Sequence, residues 1–455
     1  MEFTKRDFKG KKVLVAGSGI SGIGAAKMLS RCNAVITLYD GNASLKEEDI
    51  KKKLDGIDVK IVLGELKDDV IADNEIMIIS PGIPIDAPFV NRVREAGVTI
   101  WGEIELAYRN SFGKLAAITG TNGKTTTTSL VGEIMKNTYN DVYVVGNIGT
   151  SYADVALDTT EDTVSVAEIS SFQLESIENF RPDVSAILNI TPDHLNRHYT
   201  MENYTAVKMS IASNQDKQQI CVLNYEDKIL AEESKKLPAR VIFYSSKSDL
   251  EEGVCLAGDN IVLRLEGKEH LVCGVHDMKL VGIHNVENVM AAAAISYFMG
   301  SDIETIRKTI KDFNAVEHRI EYVTEKNGVI YYNDSKGTNT DASIKAIEAM
   351  SRPTVLIAGG YDKGSEFDDW IEKFDGTVKQ VILIGATKQK IAAAAHRHGY
   401  ENVVMADSLA EAVNLSSQYA DKGDAVLLSP ACASWDMFKS YEERGRMFKE
   451  LISNL

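Results

Sequence analysis

A lysine flanked by threonines, placed one residue after a glycine, is suited first of all to handling phosphate. Gly120-Thr121-Asn122-Gly123-Lys124-Thr125-Thr126 follows the apolar run KLAAIT (114–119) and precedes the helix-period stretch TTSLVGEIM. At such a strand-to-helix turn, backbone N–H groups cradle phosphate oxygens, Lys124 reaches the β- and γ-phosphates, and Thr125 offers a hydroxyl to Mg2+. The spacing departs from the usual phosphate loop, since position 118 is Ile and the first glycine falls at 120. ATP is the expected guest. Glu168 in AEISSFQLE and His194 in NITPDHLNRH each stand just beyond a later β-run. Both would project toward the phosphates and could complete the coordination of one or two Mg2+ ions. Magnesium prefers oxygen donors, so Asp193 competes with His194 for that role, and a capping or core histidine is the plain alternative.

Further turns carry chemistry of the same kind. Gly17-Ser18-Gly19-Ile20-Ser21-Gly22 follows VLVAG and opens a helix, and Asp40 ends the next strand. That is the layout of a dinucleotide fingerprint, with glycines for the tight turn and an acid for a ribose hydroxyl; NAD and a UDP group fit it equally. Ser80-Pro81-Gly82 also follows a strand directly. In the last third of the chain, Asp334-Ser335-Lys336-Gly337-Thr338-Asn339, Gly359–Gly364 with Lys363, and Ser429–Ser434 each come after a β-run. Three polar turns at the carboxyl ends of strands define one functional edge, and two lysines there suit an anionic substrate.

The elements that must position these turns form three alternating β/α segments. The first holds β-runs at 13–17, 34–40, 59–64 and 75–80; the second at 114–119, 142–147, 163–170, 184–190 and 221–227; the third at 329–334, 354–360, 380–386, 402–407 and 425–430. Alternation of this kind predicts α/β layers on largely parallel sheets. The stretch 97–106 reads as a lead from the first sheet into the second, and the loose pattern between about 230 and 280 as a small accessory sheet. The expected domains are 1–102, 103–315 and 316–455. A chain of 455 residues accommodates roughly three domains. Its 44% hydrophobic and 25% charged residues are those of a globular protein, and the net charge of −16 argues against a nucleic-acid surface. The five cysteines form no CxxC pair, as a reducing compartment permits, and no apolar stretch reaches the ~20 residues that span a bilayer. A cytoplasmic protein without membrane insertion is the expectation.

Eight motifs in order, GTNGKTT, EISSFQLE, NITPDHLNRH, HNVENVMAA, EHRIE, NDSKGTN, GGYDKG and SPACASWDMFKSYEERG, resemble the Mur ligases of peptidoglycan synthesis, over about residues 11–450. The resemblance implies a Rossmann-like N-terminal domain, a central P-loop-type ATPase domain and a Rossmann-like C-terminal domain that closes over ATP and an amino acid. It further implies an ATP-dependent ligase forming an acyl phosphate, with UDP-N-acetylmuramoyl-L-alanine, D-glutamate and ATP as partners of a monomer. Gly19, Ile20, Ser21, Asp40, Ser80, Pro81 and Gly82 would hold the UDP-sugar. Asn147, Glu168 and His194 would sit around Mg2+ and the reacting carboxylate. Asn285 and Asn288 would face the adenine, and His318 and Arg319 would reach ATP phosphates. Asp334, Lys336, Thr338, Lys363, Ser434 and Tyr441 would shape the nucleotide and D-glutamate site; the family more often has Phe at 441, where a backbone contact would survive the change. Lys208 in NYTAVKMS resembles the family's carbamylated lysine, which would give the metal an oxygen ligand. Folylpolyglutamate synthetase, with a related ATPase core, and an NAD-dependent oxidoreductase built on Gly17–Gly22 are the alternative readings.

Overall fold

The computed structural model describes residues 7–314, 317–374 and 376–455. Its strands fall into three sheets. The first is wholly parallel: β1 (Lys12–Ala16), β2 (Val35–Asp40), β3 (Lys60–Leu63), β4 (Ile76–Ile79) and β5 (Thr99–Gly102) lie in the order β3-β2-β1-β4-β5. Strands such as VLVA and IMII are apolar at every position because helices cover both faces. The order reverses beside β1, so the turns that follow β1 and β4 open side by side, where ligands of such sheets bind. The strand TIWG, expected to be a connector, is the edge of this sheet. Its four residues are too few for a period to show, and pairing with β4 fixes it.

The second sheet has nine strands in the order β14-β13-β12-β11-β10-β9-β6-β8-β7. They are β6 (Lys114–Thr119), β7 (Val142–Gly146), β8 (Val164–Glu168), β9 (Val184–Ile187), β10 (Ile220–Asn224), β11 (Arg240–Ser245), β12 (Gly253–Ala257), β13 (Asn260–Leu265) and β14 (Lys268–Gly274). Pairing is parallel from β7 to β12 and antiparallel beyond. The separate accessory sheet expected near 230–280 is thus a continuation of the central one, because β11 pairs in register along the whole of β10. The third sheet runs β15-β16-β20-β17-β18-β19, from β15 (Glu321–Lys326), β16 (Val329–Asn333), β17 (Thr354–Ala358), β18 (Val378–Leu383), β19 (Val403–Met405) and β20 (Ala425–Leu428), with β15 alone antiparallel.

Two compact units result: Met1–Gly274 with Asn288–Ile310, and Val275–Glu287 with Lys311–Leu455. The first unit holds the first two sheets over a shared core that includes Val13, Met28, Trp101, Ala117 and Ile169. Glu103, at the start of the helix that leaves β5, is buried at this seam and accepts hydrogen bonds from Ser151 Oγ (2.6 Å) and Ala153 N (2.7 Å). The expected boundary at 315/316 lies outside the described residues. Among those residues, no helix is long and apolar enough to cross a membrane.

Candidate functional site

The loop 120–126 leaves β6 with Gly120 at φ +150° and Gly123 at φ +85°, and the helix Lys124–Thr138 begins at once. A side chain at Gly123 would stand 2.2 Å from Asn288 Oδ1, and one at Gly120 would press on Leu188, so the glycines serve close approach as well as backbone angle. The loop is pinned to the segment after β9. Thr121 N donates to Asn189 O (2.9 Å), Asn122 N donates to Asn189 Oδ1 (2.8 Å), and Thr121 Oγ1 lies 3.2 Å from Tyr204 Oη. Lys124 Nζ donates to Gly120 O (2.8 Å) and Thr121 O (2.9 Å). Its ammonium therefore rests on the carbonyls of its own loop, within reach of whatever the loop cradles. Thr125 and Thr126 are buried at the helix start.

A cavity of about 210 Å³ opens beside this loop, lined by Pro81, Gly82, Lys124, Asn147, Ser170, Ser171, Phe172, Asp193, His194, Tyr204 and Lys208. It brings together the turn after β4, the phosphate-type loop and the ends of β7, β8 and β9. Behind Asn147, whose Nδ2 donates to Glu168 Oε1 (2.8 Å), the other carboxylate oxygen of Glu168 is buried without a partner among the described residues. A buried carboxylate oxygen lacking a donor is costly unless something cationic meets it. Asp193 lines the same cavity, and carboxylate oxygens are the donors that Mg2+ prefers. His194 caps the short helix Leu195–His198 at φ +54°; its half-exposed ring lies 4.9 Å from that of Phe172 and 3.5 Å (Nε2) from Asp193 Oδ2.

Lys208 is the least ordinary member. On the helix Met201–Met209 it is 1% exposed, its Nζ donates to Gly120 O (2.9 Å), and the ammonium lies 4.7 Å from the Tyr204 ring centre. Burial, and then the charge of Lys124, hold its pKa well below the ordinary lysine value. A lysine on a helix is ordinarily solvated, and this one is not.

Sequence reasoning missed the frame behind this cavity. Arg197 donates to Glu175 and, through Nη2, to Ile83 O (2.8 Å), tying the His194 segment to the turn after β4. His198 is buried with Nε2 3.0 Å from Ser171 Oγ and Nδ1 3.4 Å from Glu175 Oε1; burial, then Arg197, push its pKa down to about 4. A basic residue inside a loop motif gives no signal of such burial.

The nucleotide-type turn of the first sheet stands apart from the cavity lining at Gly19, Ile20 and Ser21, with Ile20 80% exposed at the helix start. Asp40 Oδ2 accepts from Ser18 N (2.9 Å) and Ser18 Oγ (2.6 Å), and Oδ1 accepts from Asn42 N (3.0 Å). Burial alone would raise its pKa, but these hydrogen bonds leave it lowered. In this structure Asp40 closes the glycine turn. Ser80 Oγ, beside Gly17, is buried with no partner among the described residues.

In the second unit, the turns 334–338, 359–364 and 429–434 follow the adjacent strands β16, β17 and β20. Asp334 N donates to Leu428 O (2.7 Å), Gly359 N to Pro430 O (2.9 Å), and Tyr361 N to Ala433 O (2.9 Å). Asp334 accepts from Ser429 Oγ (2.7 Å), and burial pushes its pKa up to about 7. Lys336 Nζ sits 5.5 Å from the Tyr441 ring centre, while Tyr441 O accepts from Ser335 Oγ (2.8 Å). Thr338 N donates to Lys336 O (2.9 Å), Ser434 is buried, and Lys363 is exposed. His318, at φ +68°, accepts at Nδ1 from Asn333 Nδ2 (2.9 Å), and Lys336 N donates to His318 O (3.0 Å). Arg319 follows it and helps to hold the Asp334 pKa down against burial. Glu317, His318 and Glu321 cluster closely enough for a metal, but Lys449 donates to both carboxylates (2.7 and 2.8 Å) and already supplies the cation.

The residue that ties these turns together was not foreseen. Arg444 is 0% exposed, and its guanidinium donates to Ser335 Oγ (3.0 Å), Ser335 O (2.8 Å) and Cys432 O (3.2 Å). Burial pushes its pKa down to about 10. Asn285 and Asn288 both lie on the helix Ile283–Phe298; Asn285 Nδ2 donates to Val281 O (2.7 Å), and Asn288 Oδ1 lies 3.4 Å from Thr127 Oγ1.

Comparison with known proteins adds three domain matches in order along the chain: a Mur ligase MurD-like N-terminal domain (11–102), a Mur ligase middle domain (118–296) and a Mur ligase, glutamate ligase domain (318–432). A UDP-N-acetylmuramoylalanine--D-glutamate ligase of Lachnoclostridium phytofermentans is 53% identical over 99% of both chains. One of Lachnospira eligens is 51% identical over 99% of this chain and all of its own. Among solved structures, a UDP-N-acetylmuramate-alanine ligase from Thermotoga maritima shares the fold at 18% identity, with a TM-score of 0.61 over 98% of this chain and 99% of that one. Three matched domains in order and full-length relatives at about half identity place this chain in the Mur ligase family.

Proposed function

We propose that the chain joins D-glutamate to UDP-N-acetylmuramoyl-L-alanine at the expense of ATP, releasing ADP and phosphate, as a cytoplasmic step of peptidoglycan-precursor synthesis carried out by a monomer. The observation that carries the reading is the cavity where Lys124, Asn147, His194 and Lys208 meet, backed by the Glu168 oxygen that has no partner among the described residues. The choice of substrates rests on the names of the relatives.

A carboxylate is a poor acyl donor. In the first step its oxygen forms a bond to the γ-phosphorus as the bond to ADP breaks; in the second the amine nitrogen bonds the carbonyl carbon, phosphate departs and the amine loses a proton. Lys124 leaves its loop carbonyls for the phosphate oxygens, where its charge matters most as negative charge crowds together. Gly120, Thr121, Asn122, Gly123 and Thr126 cradle those oxygens with Lys124. Thr125, Glu168, His194 and a carbamylated Lys208 would hold Mg2+, which when bound neutralises phosphate oxygens. Burial lowers the pKa of this lysine and so favours loss of the proton that must precede addition of CO2, a step in which the amine nitrogen bonds the carbon and a proton is released. Asn147 fixes the Glu168 carboxylate and faces the reacting carboxylate. Gly19, Ile20, Ser21, Asp40, Ser80, Pro81 and Gly82 hold the UDP-sugar, with the orphaned Ser80 hydroxyl as a ready donor. Asn285 and Asn288 face the adenine, His318 and Arg319 the phosphates. Asp334, Lys336, Thr338, Lys363, Ser434 and Tyr441 form the amino-acid and nucleotide site.

The test is phosphate release from ATP with UDP-N-acetylmuramoyl-L-alanine, with and without D-glutamate. Release that requires all three supports the reading. Release with a folate in place of the UDP-sugar, or a change in nicotinamide fluorescence on adding NADH, would favour the two other readings.

A further inference from the structure

Two large aromatic side chains stand in solvent beside the expected amino-acid site. Trp435 is 64% exposed and Tyr361 43% exposed, in a unit whose other tryptophan, Trp370, is fully buried. Their rings meet at 5.5 Å between centres with a 53° tilt. They stand on two turns that the backbone locks together. Tyr361 N donates to Ala433 O (2.9 Å), Gly360 N to Thr387 Oγ1 (3.0 Å), and Ala386 N to Asp436 Oδ2 (2.8 Å). The chain on both sides of Trp435, at Ala433 and at Asp436, is therefore held, and the indole is presented from a fixed base.

Above that ring lies Lys363 Nζ, 5.3 Å from the indole centre. The local carboxylates do not claim this ammonium. Asp362 and Glu366 lie 3.6 and 3.7 Å from Lys390 Nζ, and Asp362 Oδ1 also accepts from Gly364 N (2.7 Å). Among the described residues Lys363 enters no ion pair. A ring attracts a cation without neutralising it or occupying its N–H donors in a bidentate pair, so the charge stays available to an incoming carboxylate.

The geometry points to Trp435 as a positioning residue: its indole holds the Lys363 ammonium in place, unneutralised, for a carboxylate of the amino-acid substrate. This rests on the assignment of Lys363 to the amino acid made above and adds a specificity element to it. The role differs from that of a binding contact. Trp435 acts through Lys363, and its loss should weaken one substrate only.

The experiment measures KM for D-glutamate, ATP and UDP-N-acetylmuramoyl-L-alanine, with kcat, in the full-length enzyme and four variants. Trp435→Ala should raise KM for D-glutamate by about two- to fivefold, the scale of an exposed cation–π contact, and leave kcat and the other two KM values unchanged. Trp435→Phe should retain most of the parent value. Trp435→Glu places a competing carboxylate beside the ammonium and should raise the same KM by on the order of tenfold or more. Lys363→Ala is the control for the underlying assignment. If Lys363→Ala raises KM for D-glutamate and Trp435→Ala does not, the inference is overturned and the assignment stands. If Lys363→Ala leaves that KM unchanged, the assignment itself fails. An equal rise in all three KM values in Trp435→Ala would reveal a merely structural role and also overturn the inference.

Discussion

Replacing Lys208 should separate catalysis from stability. The side chain is 1% exposed, its ammonium has Gly120 O as its hydrogen-bond acceptor, and Lys124 adds a like charge nearby. An ammonium so placed gains little from the fold, and a neutral replacement of similar length should cost little. Lys208→Met keeps most of the stem against Tyr204, so its unfolding free energy should lie within about 1 kcal/mol of the parent or above it. Activity should fall steeply. Loss of one charged group at a phosphoryl-transfer site typically costs 10²- to 10³-fold, or about 3–4 kcal/mol of transition-state stabilisation. The truncation Lys208→Ala leaves room for a small carboxylate, and formate, acetate or propionate should restore part of the turnover by standing in for the carbamate. Linkage gives a second handle. Because the unfolded chain protonates Lys208 at pH values where the folded chain does not, the unfolded state binds more protons there. The parent should thus gain stability as pH rises toward the ordinary lysine value, and Lys208→Met should lack that contribution. Phosphate release and denaturant unfolding of the three proteins are the assays. Turnover of Lys208→Ala within about threefold of the parent, or a loss that no carboxylate restores, would refute the reasoning.

Other expected outcomes follow from the same geometry. Lys124→Ala should lose roughly 2–4 kcal/mol of transition-state stabilisation, measured as a fall in kcat/KM for ATP; near-normal turnover would remove the phosphate-loop assignment. Gly123→Ala forces an alanine to φ +85° and sets its Cβ 2.2 Å from Asn288 Oδ1, so KM for ATP should rise by about tenfold or more; an unchanged value would show that the loop does not need this conformation. Asp334, with its pKa raised by burial to about 7, contributes stability that is present below about pH 4 and lost as pH rises through 7. Asp334→Asn should abolish that dependence, so the parent's advantage in denaturant midpoint over the variant should be larger at pH 5 than at pH 8; equal differences would contradict the burial argument.

Most strands were legible because runs such as LAAI within KLAAIT and VLIA within TVLIA are apolar throughout and bounded by glycine or polar turns, the mark of parallel strands covered on both faces. TIWG was not, since four residues carry no period and only its partner β4 defines it. The second sheet's extension through β11 and β12 was likewise hidden, because pairing partners are a property of tertiary contacts and not of the strand itself. Within the site, glycine loops and polar turns announced themselves. The burial of Lys208 did not, because a single lysine on a short helix reads as solvated. Arg444 offered one faint signal: it shares an i, i+4, i+8 stripe with the buried Phe448 and Ile452, where an arginine has no reason to be unless its guanidinium is satisfied within the fold.

The central claim is the identity of the amino acid that is added. It is tested most directly by phosphate release with UDP-N-acetylmuramoyl-L-alanine and ATP against D-glutamate, L-glutamate, L-lysine and meso-diaminopimelate at equal concentration. A dicarboxylate suits a site bearing Lys336 and Lys363, whereas a diamino acid would bring a second ammonium toward them, a costly contact once water is excluded. D-glutamate should support turnover far above the other three. Preference for L-glutamate, L-lysine or meso-diaminopimelate would contradict the account.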